Sequence, residues 1–355
     1  MTSYDLTRYR VVTLEDIDAA VRAGAGELRV QAGAILTPSA QEAVAAKRLT
    51  LKSVEGGASA GAANEWERLL NSPEAEAIKA EIVAVGRKLW QRQYVDGNGG
   101  NISHRIAENA VICTPTLHSK ADLKPEDMCL VDLTGKQLAG EKARTSEILM
   151  HLEIYKSVPE AKGIVHCHPP HATAYAITGK VPPTCIIPEY EVFVGKVALS
   201  PYETPGTQKF AETVIPYAKT HNTILLANHG IVCWADSVTH AEWYAEVVDT
   251  YCLTLMLAKQ LETPITSIGP QKAADLLAIK QKLGLPDERI DMKECQLCDM
   301  PDQPGVIAMT PCYCTPAGGK REAAPEAGPS AQDMEAIVQA VTEAVMASLG
   351  GKPKP

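Results

Sequence analysis

Two short stretches of this 355-residue chain concentrate groups able to hold a metal. The first is Gly163-Ile-Val-His166-Cys-His168-Pro169-Pro170. In a strand, residues two apart face the same side, so His166 and His168 project together. The two prolines then end the strand and leave both imidazoles at its mouth. The second stretch, Thr223-Ile-Leu-Leu-Ala227, runs into Asn228-His229-Gly230 and sets a third imidazole beside a glycine at another strand end. Three imidazoles match a catalytic Zn²⁺ site, which keeps a position open for substrate. A carboxylate for proton transfer stands in Arg144-Thr145-Ser146-Glu147, the opening of a helix expected to run to Ser157. Thr145 or Ser146 caps that helix in this reading, with Glu147 in its first turn, where the helix dipole favours a negative charge.

The same helix start, with two hydroxyls and free N–H groups, is an anion cradle. A second cradle is Asp96-Gly-Asn-Gly-Gly-Asn101-Ile-Ser103, whose glycines let the backbone approach a ligand closely. It lacks the lysine and the spacing of a nucleotide-binding P-loop. His171, just past the prolines, is read as lying beside the site or facing substrate, and His104, His118, His151, His221 and His240 as structural. Cys295-x2-Cys298 and Cys312-x-Cys314, with 13 residues between the pairs, place four thiols in a Pro- and Gly-rich segment that a structural metal would organise. Cys113, Cys129, Cys167, Cys185, Cys233 and Cys252 read as small apolar core residues.

These groups need elements to hold them. Ser72 and Pro73 begin a helix in which Ile78, Ile82, Val85 and Leu89 recur at helical spacing. Val111-Ile112, Met128 to Val131, Gly163 to Val165 and Thr223 to Ala227 read as strands. Thr239 to Leu261 reads as a helix, with Trp243, Val247, Tyr251 and Leu255 on one face. The alternation predicts a sheet covered by helices on both sides. Ahead of it, Leu14 to Val21, Glu27 to Val30 and Thr37 to Ala46 read as helix, strand and helix. The organisation is therefore 1–60 an N-terminal extension, 61–72 a linker, 73–262 the catalytic domain, 263–320 the cysteine segment, 321–332 a second linker and 333–350 an amphipathic helix. In that last piece Met334, Val338, Val341, Val345 and Leu349 form one apolar stripe. A helix this short wants a partner surface.

Composition narrows the function classes. A net charge of −9 repels phosphate backbones and anionic lipid, and the two Phe among few aromatics do not make a base-stacking platform, so neither nucleic acid nor membrane is expected as a partner. No stretch approaches the roughly 18 apolar residues of a membrane span. Met1 to Arg10 lacks an export signal, so the ten cysteines are expected as reduced thiols in a cytoplasm.

Taken together, Gly-Gly-Asn101-Ile-Ser, Thr114-Pro-Thr116, Thr145-Ser-Glu147, the His166-x-His168-Pro-Pro-His171 run, Pro201-Tyr-Glu-Thr-Pro-Gly-Thr207 and Asn228-His-Gly resemble the class II aldolase/adducin family over residues 75–260, most of all its L-fuculose-phosphate aldolase branch. The resemblance implies a three-layer α/β/α fold around a largely antiparallel central sheet and a fourfold homotetramer. It implies His166, His168 and His229 as ligands of Zn²⁺, and Glu147 as a fourth ligand that swings away to act as base. Gly100, Asn101, Thr116, Thr145 and Ser146 would hold a substrate phosphate, and Tyr190 would be the proton donor. Leu117 departs from the glycine usual after Thr-Pro-Thr. The implied reaction is reversible cleavage of L-fuculose 1-phosphate or L-rhamnulose 1-phosphate to dihydroxyacetone phosphate and lactaldehyde. A pentulose-phosphate 4-epimerase, a methylthioribulose-phosphate dehydratase and a non-catalytic adducin-like scaffold are the alternatives. Residues 333–349 on their Pro/Ala/Gly linker resemble the encapsulation peptides that load enzymes into bacterial microcompartments, which implies shell proteins as partners and a place inside such a compartment. Residues 11–51 resemble an extension found on enzymes of that kind.

Overall fold

The computed structural model describes residues 2–7, 9, 11–54, 62–298 and 306–307. The linker 321–332, the amphipathic segment 333–350, Cys312 and Cys314 lie outside the described residues.

The N-terminal region is a small open sheet backed by two helices. In chain order it comprises β1 (Thr2–Leu6), β2 (Val11–Val12), α1 (Leu14–Arg22), β3 (Ala25–Gln31), β4 (Ile35–Leu36), α2 (Pro38–Ala46) and β5 (Thr50–Val54). The order β1-β3-β5 is parallel throughout, and α1 and α2 are its crossovers. Leu6, Ile17, Leu28, Val30 and Val44 form its core. The Asp16 carboxylate accepts the Thr13 N–H at the start of α1 (2.8 Å), and Thr37 Oγ1 accepts from Ala40 N at the start of α2 (3.3 Å). The expected helix, strand and helix are present; β1, β2, β4 and β5 are the strands that the apolar pattern did not announce.

The stretch 61–72 is not a linker. Ala62–Leu70 forms α3, because Trp66, Leu69 and Leu70 fall at i, i+3 and i+4 and bury that face in the main core. An Arg68–Asp16 ion pair ties α3 to the N-terminal sheet region, and the bond from Ser39 Oγ to Glu74 Oε1 (2.8 Å) ties that region to the helix beginning at Pro73.

The main region continues with α4 (Pro73–Gln91), β6 (Asn101–Ala107), β7 (Ala110–Cys113), β8 (Cys129–Val131), β9 (Gln137–Ala139), α5 (Ile148–Ser157), β10 (Gly163–Cys167), α6 (Pro170–Ile177), α7 (Pro188–Phe193), β11 (Ala198–Ser200), α8 (Gln208–Glu212), α9 (Ile215–Ala218), β12 (Thr223–Leu226), β13 (Gly230–Ala235) and α10 (Val238–Gln260). Its eight strands run in the order β11-β12-β13-β10-β6-β7-β8-β9. Every pairing is antiparallel except β11 with β12. Side chains alternate between two cores. Val165, Leu225, Ile231 and Cys233 face α4, α6 and α10, whereas Ile164, Ile224, Leu226, Val232 and Trp234 face α5, α8 and α9. Two helical layers thus enclose a largely antiparallel sheet, the three-layer architecture expected.

Beyond α10, β14 (Ile265–Thr266) and α11 (Pro270–Lys282) follow, and β14 pairs with β15 (Val306–Ile307). Cys298 is not free to join a tetrathiolate site, because it forms a disulfide with Cys185, 113 residues earlier, across a Cα–Cα separation of 5.6 Å. The expectation of reduced thiols throughout, and of Cys185 as a plain core residue, is corrected by the same bond. Next to it lies a buried ionic cluster. Arg289 donates to Asp287 through Nε and Nη2 (both 2.9 Å) and to Glu191 through Nη1 (2.9 Å), and Lys280 Nζ reaches Asp287 (3.0 Å) and the Val194 carbonyl (2.6 Å). This cluster and the disulfide clasp α11 and its following turn to α7.

Candidate metal and active site

Sheet alternation decides which way the histidines face. His166 shares its parity on β10 with Ile164, so its ring points to the α5 side of the sheet and is fully buried. His168 follows the last residue of β10, and His229 immediately precedes β13, the strand paired with β10. The three rings meet at centroid separations of 4.7–5.1 Å.

Close packing at this strand end depends on glycine. Gly100 has φ +70°, and a Cβ there would lie 2.7 Å from Val95 Cγ1 and 2.8 Å from the His166 carbonyl. At Gly230 a Cβ would lie 2.5 Å from the Cys167 carbonyl and 2.7 Å from His168 Cδ2. The Gly-Gly-Asn and His-Gly motifs therefore let β6, β10 and β13 converge on the imidazoles.

Hydrogen bonds set the tautomers. His166 Nδ1 lies 2.8 Å from the Ile231 carbonyl, which only accepts, so Nδ1 carries the proton and Nε2 presents a lone pair. His168 Nδ1 faces the Asp96 carboxylate at 3.3 Å, which likewise turns its Nε2 lone pair inward. The two Nε2 atoms stand 3.2 Å apart. Lone pairs meeting at that distance repel unless a cation sits against them. Burial, and then the neighbouring His166, lowers the His229 pKa to about 4, and the same two causes lower His168 against the pull of Asp96. Both rings are therefore neutral at physiological pH, the form in which an imidazole can bind a metal. The donor set fits a divalent metal, and the ligand atoms of His166, His168 and His229 all lie within 4.8 Å of one another.

Glu147 is not in the first turn of α5. It occupies the N-cap position, and the turn Thr145–Glu147 precedes the helix. Its side chain makes no cap bond and turns to the imidazoles instead. Glu147 Oε2 lies 3.2 Å from His166 Nε2 and accepts from Asn101 Nδ2 at 2.8 Å, while Oε1 lies 3.5 Å from His229 Nε2. Burial pushes its pKa up, but the pull of His166 and His229 in their protonated forms, and the Asn101 bond, outweigh that and hold the carboxyl well below the ordinary range. Glu147 is thus an ionised carboxylate set against the histidine cluster.

A cavity of about 180 Å³ opens beside these groups. Gly100, Asn101, Thr116, Thr145 and Ser146 all line it, as do Glu147, His168 and His229. The two cradles inferred from sequence are two walls of one pocket. Leu117, at the position of the departure, is also on the wall, with φ +51° and 81% exposure.

Tyr190 does not belong here. Its side chain is buried in the main core, its ring stacks on Tyr251 at 3.9 Å, and its hydroxyl has no hydrogen-bond partner. A group enclosed in that way reaches neither this pocket nor a neighbouring subunit. Its helix α7 packs inward because Tyr190 and Val194 continue the apolar face. His171 is held by Asp249 through Nδ1 (2.9 Å) and its backbone N–H (2.8 Å), outside the cavity wall. Two participants escaped the sequence reading. Asp96, which orients His168, was visible only as part of a glycine loop, and Lys120, which grips that loop from behind, carried no motif signal.

Comparison with known proteins places the chain among relatives. The profile of the class II aldolase and adducin N-terminal domain matches residues 80–256. A 3-oxo-tetronate 4-phosphate decarboxylase of Haemophilus influenzae is 39% identical over 160 residues, 44% of this chain and 76% of that protein. An L-fuculose phosphate aldolase of Methanococcus vannielii is 36% identical over 169 residues, 48% of this chain and 90% of that protein. Among solved structures, an L-fuculose 1-phosphate aldolase superposes with a TM-score of 0.53 at 26% identity, covering 59% of this chain and 97% of that one.

Proposed function

Since the chain belongs to the class II aldolase and adducin family, we propose that it is a metal-dependent lyase that breaks a carbon–carbon bond in a small phosphorylated keto sugar. The observation that carries this reading is the convergence of two inward Nε2 lone pairs, 3.2 Å apart, and the Glu147 carboxylate on a pocket otherwise lined by neutral amides and hydroxyls.

His166, His168 and His229 would hold the metal, with Glu147 beside them, and Zn²⁺ suits three imidazoles. When bound, the metal supplies Lewis-acid polarisation of the substrate carbonyl. The chain's own residues do the rest. The main-chain amides around Gly100 and the hydroxyls of Thr116, Thr145 and Ser146 receive the phosphate and fix which end of the sugar faces the histidines. Glu147, ionised and held by Asn101, exchanges a proton with the carbon that gains or loses its bond. The group that takes the proton from the hydroxyl destined to become the aldehyde, and returns it in the condensation direction, is one other than Tyr190.

Two cleavages use this arrangement. Aldol cleavage of L-fuculose 1-phosphate, or of L-rhamnulose 1-phosphate, releases lactaldehyde. Decarboxylation of a 3-oxo-tetronate 4-phosphate releases CO₂. By carbon balance both leave dihydroxyacetone phosphate. We favour the aldol reading on the motif set, and the relative from H. influenzae supports the decarboxylase as the second. Incubating the purified chain with each of the three compounds and measuring dihydroxyacetone phosphate, lactaldehyde and CO₂ tests it. Lactaldehyde formation supports the first reading and CO₂ the second. Release of neither product from any of them would overturn the lyase assignment and favour an epimerase, a dehydratase or a scaffold.

Assembly as a homotetramer, and carriage inside a cytoplasmic bacterial microcompartment through residues 333–349, rest on resemblance. Solution mass checks the former. Deleting Asp333 to Pro355 checks the latter, and is expected to spare activity while abolishing co-assembly with shell proteins.

A further inference from the structure

Every group on the pocket wall that faces the proposed phosphate is neutral: amides of the Asn98–Asn101 loop and the hydroxyls of Thr116, Thr145 and Ser146. A phosphorylated ligand brings close to two negative charges, and Glu147 already contributes another. One cation stands immediately behind this wall. Lys120 is 1% exposed, and its Nζ donates to the carbonyl of Asn98 (3.0 Å) and to that of His118 (2.7 Å). Those carbonyls belong to two loops that line the pocket, the glycine loop and the loop carrying Thr116 and Leu117. The main chain at Lys120 is packed against α4 at Gly86, where a Cβ would come within 3.1 Å of the Lys120 carbonyl, so the side chain is enclosed on its far side as well.

Among the described residues Lys120 makes no ion pair. A buried ammonium with only carbonyl oxygens around it is expensive, and burial lowers its pKa to about 8 while the Glu147 carboxylate pulls it back up. Glu147 is itself engaged with the imidazoles and Asn101. The ammonium therefore lacks a full counter-charge until an anion occupies the pocket. We propose that Lys120 is the positioning cation of the anion subsite, joining the two loops through its carbonyl bonds and supplying the positive charge that balances a ligand phosphate without touching it.

This inference rests on the reading of the pocket as a phosphate site, and the experiment separates the two. Inorganic phosphate binding is measured by calorimetry on the metal-loaded wild type, Lys120→Met and Lys120→Arg, alongside zinc affinity and, with whichever substrate proves active, KM and kcat. The expected result is phosphate affinity about 10- to 100-fold weaker in Lys120→Met. Lys120→Arg should lie within about threefold of wild type, because it keeps the charge. KM should rise more than kcat falls, and zinc affinity should be unchanged. If Lys120→Met does not fold, Lys120→Gln carries the same comparison, since it retains an N–H donor for the carbonyls and removes the charge. Wild-type phosphate affinity in a folded neutral variant overturns the role of Lys120 and leaves the phosphate reading standing. A wild type that binds neither inorganic phosphate nor a phosphorylated substrate overturns both. Equal loss of phosphate and zinc affinity would reduce Lys120 to a structural tie and overturn its electrostatic role.

Discussion

Replacing Gly100 by alanine should damage the site more than it damages the fold. Gly100 sits at φ +70°, where an L residue costs about 1–2 kcal/mol. Its new Cβ would also press on Val95 Cγ1 at 2.7 Å and on the His166 carbonyl at 2.8 Å. The first neighbour is a side chain that can turn, but the second is backbone of the central strand, and overpacking of that kind costs about 1–3 kcal/mol. The sum is about 2–5 kcal/mol, or about 4–20 °C in melting temperature at the sensitivity of a domain this size. Relief by moving the His166 backbone would displace the one imidazole of the three that is wholly buried, so zinc affinity should fall about 10- to 100-fold. Gly97 is the internal control. It also has positive φ, +48°, but nothing lies within 4 Å of its would-be Cβ. Gly97→Ala should therefore show only the backbone cost and keep wild-type metal binding. Thermal melts and chelator-competition titrations of both variants read the two quantities. A Gly100→Ala protein with wild-type zinc affinity, or one no less stable than Gly97→Ala, would refute the claim that this glycine exists to admit the His166 carbonyl.

Other substitutions probe the remaining parts. Glu147→Gln should lower turnover by about 10²–10⁴-fold, read in steady-state kinetics, while costing less metal than His166→Ala. Tyr190→Phe removes a buried hydroxyl that has no partner. It should leave turnover within about twofold and stability unchanged or about 1 kcal/mol higher; a loss of activity beyond about 100-fold would restore Tyr190 as the acid. Asp287→Asn leaves the buried Lys280 without its carboxylate and Arg289 with Glu191 alone, and should cost about 3–5 kcal/mol at neutral pH, seen in urea melts. Burial raises the Asp287 pKa, but Arg289 and Lys280 outweigh it and hold the value well below 3.8. The unfolded chain therefore binds that proton first as pH falls. The contribution is complete above the unfolded value and lost on acidification below about pH 4, so the stability gap between wild type and variant should close there.

The histidine cluster was legible because His-x-His and His-Gly each sit at the end of an apolar run whose alternation places them without knowledge of the fold. The pocket wall was legible as separate loops, Gly100–Asn101, Thr116 and Thr145–Ser146, but nothing local says that β6, β7 and the turn before α5 are neighbours. Strand β13 escaped because Gly-Ile-Val-Cys-Trp-Ala is buried on both faces and carries no alternation of polarity. Strand β6 escaped because it begins inside the glycine motif itself. The Cys185–Cys298 bond spans 113 residues, and spacing alone pairs each cysteine with its nearer neighbours instead. Tyr190 was misplaced for a related reason: a short helix turned by its apolar face into the core looks, in sequence, much like one turned toward the site.

The central claim is that His166, His168 and His229 hold a metal on which carbon–carbon cleavage depends. Metal content per chain, measured with lyase activity before and after chelation in wild type and in the His166→Ala/His168→Ala variant, addresses it directly. The account predicts metal in the wild type, activity lost on chelation and restored by Zn²⁺, and a folded double variant with neither metal at this site nor activity. A wild type that cleaves its substrate equally well after complete metal removal, or a double variant that keeps both metal and turnover, would contradict it.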